Sequence, residues 1–326
     1  MDMIEVSGLH KSYGPIQAVR DIQFRVKKGE VVGFLGPNGA GKSTTMKIIT
    51  GSMAPSGGSV RVAGFDVFED PIEVKKRIGY LPENPPVYGE MSIESYLRFV
   101  AKLKGVESGA VAAQVEKAIE KTDLGSVRKR LIQNLSKGYR QRVGIAQALV
   151  SDPEVLILDE PTSGLDPRQV AEVRALIKEL RGEHTIILST HILPEVQAMC
   201  ERIIIINRGR IVAEDSLEGL SARMTGSASV QIRVARPGGA LESALKGLEG
   251  VVSIAPLGIG QGIGHGYAVQ LAGAQAASDA AVERIAEAAV ASKAGLLELR
   301  REAVDLEEIF LKLTTNEENQ VPGGVA

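Results

Sequence analysis

What this chain has little of already narrows its chemistry. Its 326 residues contain a single cysteine, Cys200. An internal disulfide framework is therefore excluded, and a lone thiol reads as a small core residue in a reducing compartment. Neither sign of charge dominates: the formal net charge is -2, and no run of Lys or Arg stands out. Nucleic acid is accordingly not expected as the main partner. Long apolar runs are missing as well. Val155 to Leu158 and Ile203 to Ile206 are strand-sized, far short of the roughly 20 residues a membrane helix needs. The opening Met1-Asp2-Met3-Ile4-Glu5 has no basic region followed by an apolar stretch, so no secretory signal is expected. These absences predict a soluble, cytoplasmic chain that reaches a membrane only through a partner. Its length suffices for two domains, or for one large domain with an appendage.

What is present starts with Gly36-Pro37-Asn38-Gly39-Ala40-Gly41-Lys42-Ser43, a match to the phosphate-binding pattern G-x-x-x-x-G-K-[ST]. The apolar strand Val31 to Leu35 precedes it and a helix through Thr44 and on to Ile49 follows, the context that gives the pattern a mechanism. Glycines let successive backbone N–H groups curl towards phosphate oxygens, and the helix N-terminus adds the positive end of its dipole. Lys42 supplies a cation to the outer phosphates, and the Ser43 hydroxyl is the expected Mg²⁺ ligand. The loop and Thr44 together form the expected nucleotide-binding set.

Around this loop the pattern is that of an α/β protein. Ile4 to Leu9 and Ile22 to Val26 alternate like half-buried strands of a small antiparallel sheet beside the nucleotide. Ala54 to Gly58 reads as a loop, Ser59 to Val62 as a strand and Pro71 to Arg77 as a helix. From Ser92, a plausible N-cap, to about Thr122 the pattern is helical with a break at Gly105 to Gly109, which predicts a helical insertion over about 84–145. Val155 to Leu158 and Thr185 to Leu188, separated by a helix over Gln169 to Arg181, imply parallel crossovers and a doubly wound core. Ile203 to Asn207 and Arg210 to Ala213 read as closing strands, and Asp215 to Gly226 as a short helix, so the first domain is expected over 1–220.

The remainder, 228–314, parses as strand, helix, strand, strand, helix, strand: Ser229 to Ala235, Ala240 to Leu248, Val251 to Pro256, Tyr267 to Leu271, Ala277 to Ala294 and Gly295 to Arg300. That order predicts a ferredoxin-like α+β module, followed by a last helix over Val304 to Leu313. The glycines at 258, 260, 262, 264 and 266 do not fit G-x-G-x-x-G and read as a hairpin tip. Residues 315–326 are expected to form a disordered tail.

Two acids close the apolar strand Val155 to Leu158. Asp159 is placed to steer Mg²⁺, and Glu160 to orient and deprotonate an attacking water. Upstream lies Leu135-Ser136-Lys137-Gly138-Tyr139-Arg140-Gln141-Arg142. Here the chain resembles the ATP-binding cassette (ABC) family, whose signature reads L-S-G-G-Q-x-Q-R. Tyr13 before Gly14 resembles the family's adenine-stacking aromatic, Ser163-Gly164-Leu165-Asp166 its D-loop, and His191 its switch histidine at the γ-phosphate. A lone Tyr or His is more often packing or surface, but five matches in the family's order leave little room for chance.

The chain departs from the pattern at three places. Glu83, in Gly79-Tyr80-Leu81-Pro82-Glu83, stands where the family usually has glutamine; a carboxylate still offers Mg²⁺ an oxygen. Lys137 and Tyr139 replace a signature glycine and glutamine, while Ser136 and Gly138 are kept. The variant is most similar to the gliding-motility-type branch of ABC export ATPases, and Asp305 to Thr314 resembles the end of many such chains. The resemblance covers roughly 3–220. It implies that ATP is clamped between two cassettes, with Ser136 and Gly138 acting in trans on nucleotide held by the partner's phosphate loop. A homodimer or a related second cassette, and a separate integral-membrane permease on the inner face of the membrane, are the implied partners. A soluble ABC ATPase acting on nucleic acid or ribosomes is the rival; a P-loop kinase or GTPase would leave the signature unexplained.

Overall fold

The computed structural model describes residues 1–216, 219–220, 227–257, 264–272, 279–301 and 310. The chain divides into two compact units, Met1–Ser216 and Leu217–Lys312. In the first, a six-stranded sheet is built from β3 (Val31–Leu35), β6 (Ile78–Leu81), β7 (Val155–Asp159), β8 (Thr185–Thr190), β9 (Arg202–Asn207) and β10 (Arg210–Ser216). The strand order is β10-β9-β3-β8-β7-β6, parallel except for the β9/β10 pair. β3, β7 and β8 are buried at every residue, as parallel strands covered on both faces must be, and their continuous apolar runs follow from that. The order sets the carboxyl ends of β6, β7, β8 and β3 side by side, where ligands bind in open α/β sheets.

A second, antiparallel sheet, β2-β1-β4-β5, joins β1 (Asp2–Tyr13), β2 (Ile16–Lys27), β4 (Gly57–Val62) and β5 (Phe65–Asp66). Its inward residues, among them Ile4, Val6, Ile22 and Phe24, share one core with Phe34 and with Met46 and Ile49 of α1 (Lys42–Ile49). Gly57 and Gly58 belong to β4 and not to a loop, because Gly57 pairs with His10, whose ring occupies the space a Cβ would need. Helix α2 spans Pro71–Arg77, as its proline start predicts.

The helical insertion comprises α3 (Ile93–Leu103), α4 (Val111–Lys121) and α5 (Lys137–Leu149). Ser92 caps α3 by accepting the Ser95 amide at 3.3 Å. Ile93, Tyr96, Leu97, Val100 and Ala101 recur at helical spacing and pack with Val115, Ile119 and Val143 into a core of their own. Helices α6 (Pro167–Glu179) and α7 (Leu193–Met199) complete the unit. Asp215 and Ser216 extend β10 opposite Ile203 and Arg202, so the expected helix over 215–226 does not begin there. Cys200 is buried, and desolvation pushes its thiol up to about 12, in keeping with a core role.

The second unit holds β11 (Ser227–Val234), α8 (Gly239–Lys246), β12 (Val251–Leu257), β13 (His265–Ala272), α9 (Asp279–Ala291) and β14 (Leu296–Arg301). The antiparallel order β12-β13-β11-β14 gives the ferredoxin-like arrangement. Val230, Ile232, Val234 and Val269 pack against Leu241 and Leu245 of α8 and Ile285 and Ala289 of α9. The helix expected over 304–313, the tail over 315–326 and the glycines at 258, 260 and 262 lie outside the described residues, Phe310 apart.

Candidate functional site

The phosphate loop leaves β3 and enters α1 through Gly41, whose φ of 108° is open only to glycine. A Cβ at Gly36 would collide with the Ile206 carbonyl on neighbouring β9. Lys42 is 6% exposed; its Nζ donates to the Gly36 carbonyl at 2.9 Å and the Pro37 carbonyl at 3.3 Å, and pairs with Glu160 Oε1 at 3.5 Å. Ala40 is buried, its carbonyl accepting the Gly209 amide at 2.9 Å.

Both acids stand at the end of β7. Asp159 is buried, and its Oδ1 accepts from Ser43 Oγ at 3.3 Å and from Ser189 Oγ of β8. A buried carboxylate beside a hydroxyl is a hard-oxygen pair of the kind Mg²⁺ prefers, so Ser43 and Asp159 fit the ion. Burial, together with the Asp159 charge, pushes the Tyr80 phenol on β6 up to about 12, so that it stays a neutral hydroxyl. Glu160 adopts φ 50°, a left-handed conformation that costs a non-glycine residue energy. Its amide is held by the Ser189 carbonyl at 2.9 Å, its carbonyl accepts the Ser163 amide at 3.1 Å, and both carboxylate oxygens lie 3.0 Å from His191 Nδ1.

Lys42, Glu160 and His191 thus meet at one cavity of about 420 Å³, which Asn38, Gly39, Gly41, Ser43, Thr44 and Glu83 also line. Glu83 reaches it from the segment just beyond β6. Tyr13 does not line it: it ends β1, about half exposed, with its hydroxyl 2.8 Å from Met53 Sδ. Ser136 and Gly138 line a different cavity of about 390 Å³ with Tyr139 and Asp166. Ser136 caps α5 by accepting the Tyr139 amide at 3.3 Å, and a Cβ at Gly138 would strike the Gln169 side chain. No residue lines both cavities, although Ser163 lines one and Asp166 the other.

Sequence reasoning missed Ser189, Thr162, Thr190 and Glu195, all buried around these loops. For Ser189 and Thr190, hydroxyl residues closing the apolar strand Thr185–Thr190 were the available signal. Gln141 of α5, also buried, donates to the Pro161 carbonyl at 2.8 Å and so ties the signature helix to the segment after Glu160.

The arrangement offers a cradle for polyphosphate, a paired hydroxyl and carboxylate for a divalent cation, and a carboxylate able to take a proton from water. A family model described as ABC transporter matches residues 19–163. The ABC transporter ATP-binding protein NatA of Bacillus subtilis is 39% identical over 63% of this chain and 84% of its own length. The linearmycin resistance ATP-binding protein LnrL of the same organism is 31% identical over 96% of this chain and 98% of its own. A solved dimer of the cassette MJ0796, titled a bacterial ABC transporter cassette, matches with TM-score 0.61 and 26% identity, over 66% of this chain and 99% of that one.

Proposed function

This chain belongs to the ABC transporter ATP-binding family, and from that premise we propose that two copies of it clamp ATP between them and drive a separate membrane permease of the export type. It is an ATP-binding, ATP-hydrolysing transporter subunit. The observation that carries the dimer is the separation of two half-sites on one chain, Lys42, Glu160 and His191 at one cavity and Ser136 and Gly138 at the other. A single chain cannot close both on one nucleotide, whereas two chains facing each other head to tail can. The likeness to LnrL along almost the whole chain supports an export role, since that relative is named for linearmycin resistance. The rival, a soluble ATPase acting on nucleic acid or ribosomes, falls away.

In the site the residues divide the work. The loop amides and Lys42 receive the phosphates, which compete with Glu160 and the two carbonyls for the Lys42 ammonium. Ser43 and Asp159 would hold Mg²⁺, with Glu83 facing the same cavity; when bound, the ion offsets the negative charge of the phosphates. Glu160 accepts the proton of the attacking water on a carboxylate oxygen, and His191 holds that carboxylate from Nδ1. ATP joins the halves through its γ-phosphate, and its loss on hydrolysis releases them. Among the described residues no helix is long and apolar enough to cross a membrane; the proposal assigns the pore to a separate permease. In this reading the chain works on the cytoplasmic face of the membrane, through the permease.

Isolation of the tagged full chain from detergent-solubilised membranes with ATP tests this reading. A multi-span membrane protein recovered in stoichiometric amount is the expected result; recovery of ribosomes or nucleic acid alone would overturn it. A second expectation concerns the base. Tyr13→Ala should weaken ATP by about 1–3 kcal/mol, the usual worth of stacking a base on an aromatic ring, with kcat at saturating ATP little changed. Unaltered ATP affinity in a binding titration would remove Tyr13 from the adenine site.

A further inference from the structure

Glu195 is a carboxylate the mechanism above does not use, yet it is 2% exposed on α7. Burying a carboxylate is costly unless its oxygens are bonded. Here Oε1 accepts from Thr162 Oγ1 at 2.5 Å and Oε2 from Thr190 Oγ1 at 2.8 Å. Thr162 lies two residues beyond Glu160, and Thr190 immediately precedes His191.

The bonds continue outward from both threonines. The Thr190 hydroxyl oxygen accepts the Ile192 amide at 3.1 Å, so the turn carrying His191 is tied on both sides. Its carbonyl accepts the amide of Gly36, the first residue of the phosphate loop, at 3.3 Å. The Thr162 carbonyl accepts the Leu165 amide at 3.2 Å, which fixes the segment leading to Asp166. Helix α7 is itself seated firmly: Gly33 of β3 has no side chain, and the space its Cβ would fill is taken by Val196 and Cys200. One carboxylate on a fixed helix therefore bonds the two loops that present the base and the histidine, and through one of them reaches the third loop.

We propose that Glu195 is a positioning residue for ATP hydrolysis, holding Glu160 and His191 in a single geometry through Thr162 and Thr190. It is buried and does not line the cavity that Lys42, Glu160 and His191 share; it acts by keeping two catalytic loops from moving independently, the kind of support that precise placement requires. The inference rests on the assignment of Glu160 and His191 above and names what holds them.

ATP turnover of the purified full chain tests it. Glu195→Gln keeps the shape but replaces one acceptor oxygen with a donor, so one threonine hydroxyl loses the acceptor for its proton. The expected result is a fall in kcat of about 10- to 100-fold, the scale of an ångström-sized misplacement, with KM for ATP within about twofold of wild type. Thr190→Val and Thr162→Val, which keep the shape and lose the hydroxyl, should each lower kcat, while Thr190→Ser and Thr162→Ser recover most of that loss. In a His191→Ala background Glu195→Gln should cost less than it does in wild type, because one of the two groups it positions is already gone.

A wild-type kcat in Glu195→Gln would overturn the proposal. So would an equal loss with and without His191, or a loss expressed as weaker ATP binding. The valine variants keep the test open should Glu195→Gln fail to fold. Wild type and Lys42→Ala run alongside separate the two levels: absence of turnover in wild type would overturn the site assignment itself, whereas wild-type turnover lost in Lys42→Ala but kept in Glu195→Gln sinks this inference alone.

Discussion

Glu160→Gln is expected to cut ATP turnover by about 10²- to 10⁴-fold, the usual contribution of a positioned general base, while ATP binding persists and a closed dimer accumulates. Glutamine has the size of glutamate and still fits between His191 and Lys42, but its amide cannot take a proton from water. The substitution also removes the 3.5 Å ion pair to Lys42, leaving the ammonium with only the Gly36 and Pro37 carbonyls. Phosphate then meets less competition for that cation, so ATP affinity should hold or rise. Without hydrolysis the γ-phosphate that joins the halves is not lost, and the dimer persists. Steady-state phosphate release, with gel filtration in the presence and absence of ATP, reads both effects. Turnover near wild type with no dimer would remove Glu160 from the role of base and leave the left-handed backbone at that residue without a catalytic reason.

Much of this site is legible in the sequence because its parts are local. The phosphate loop is eight consecutive residues between a strand and a helix, and the two acids sit at the end of a second apolar strand. Proline at the start of Pro71–Arg77 and Ser92 before Ile93 fix helix starts by chemistry confined to one turn. The order of elements in the second unit follows from period alone, and the antiparallel order β12-β13-β11-β14 is its consequence.

What the sequence hides is what the sheet brings together. Thr162 and Glu195 are separated by 33 positions and meet only because β7 and β8 are neighbours. Glu195 follows a proline in the first turn of a short helix, where an acid reads as a solvated end favoured by the dipole. Nothing local signals that it is buried. Likewise Gly57 looks like a turn until its pairing with His10 is seen, and Asp215 looks like a helix start until it is found opposite Ile203. Tertiary pairing overrides local preference in both cases. That Ser136 and Gly138 face a cavity apart from Lys42 also depends on the path of α5, which the signature motif does not encode.

Lys42→Ala should abolish ATP turnover and weaken ATP binding by at least about 100-fold. The Lys42 ammonium is buried, bonded to two loop carbonyls and 3.5 Å from Glu160. A cation buried beside a carboxylate and two carbonyls is already desolvated, so handing it to a phosphate exchanges one set of oxygens for another without stripping water anew. Two charge-assisted hydrogen bonds at about 1.5–3 kcal/mol each set the lower bound of 100-fold. The loss should also show in the nucleotide-free protein. Removing one member of a buried pair leaves the other without compensation, and Glu160 would keep only His191, whose ring is 43% exposed. Lys42→Ala is therefore expected to lower the melting temperature before any ATP is added, and Lys42→Ala/Glu160→Gln to recover part of that stability while remaining inactive. Recovery in the double variant would show that the carboxylate feels the lysine directly; full turnover in Lys42→Ala would overturn the placement of the phosphates in this loop.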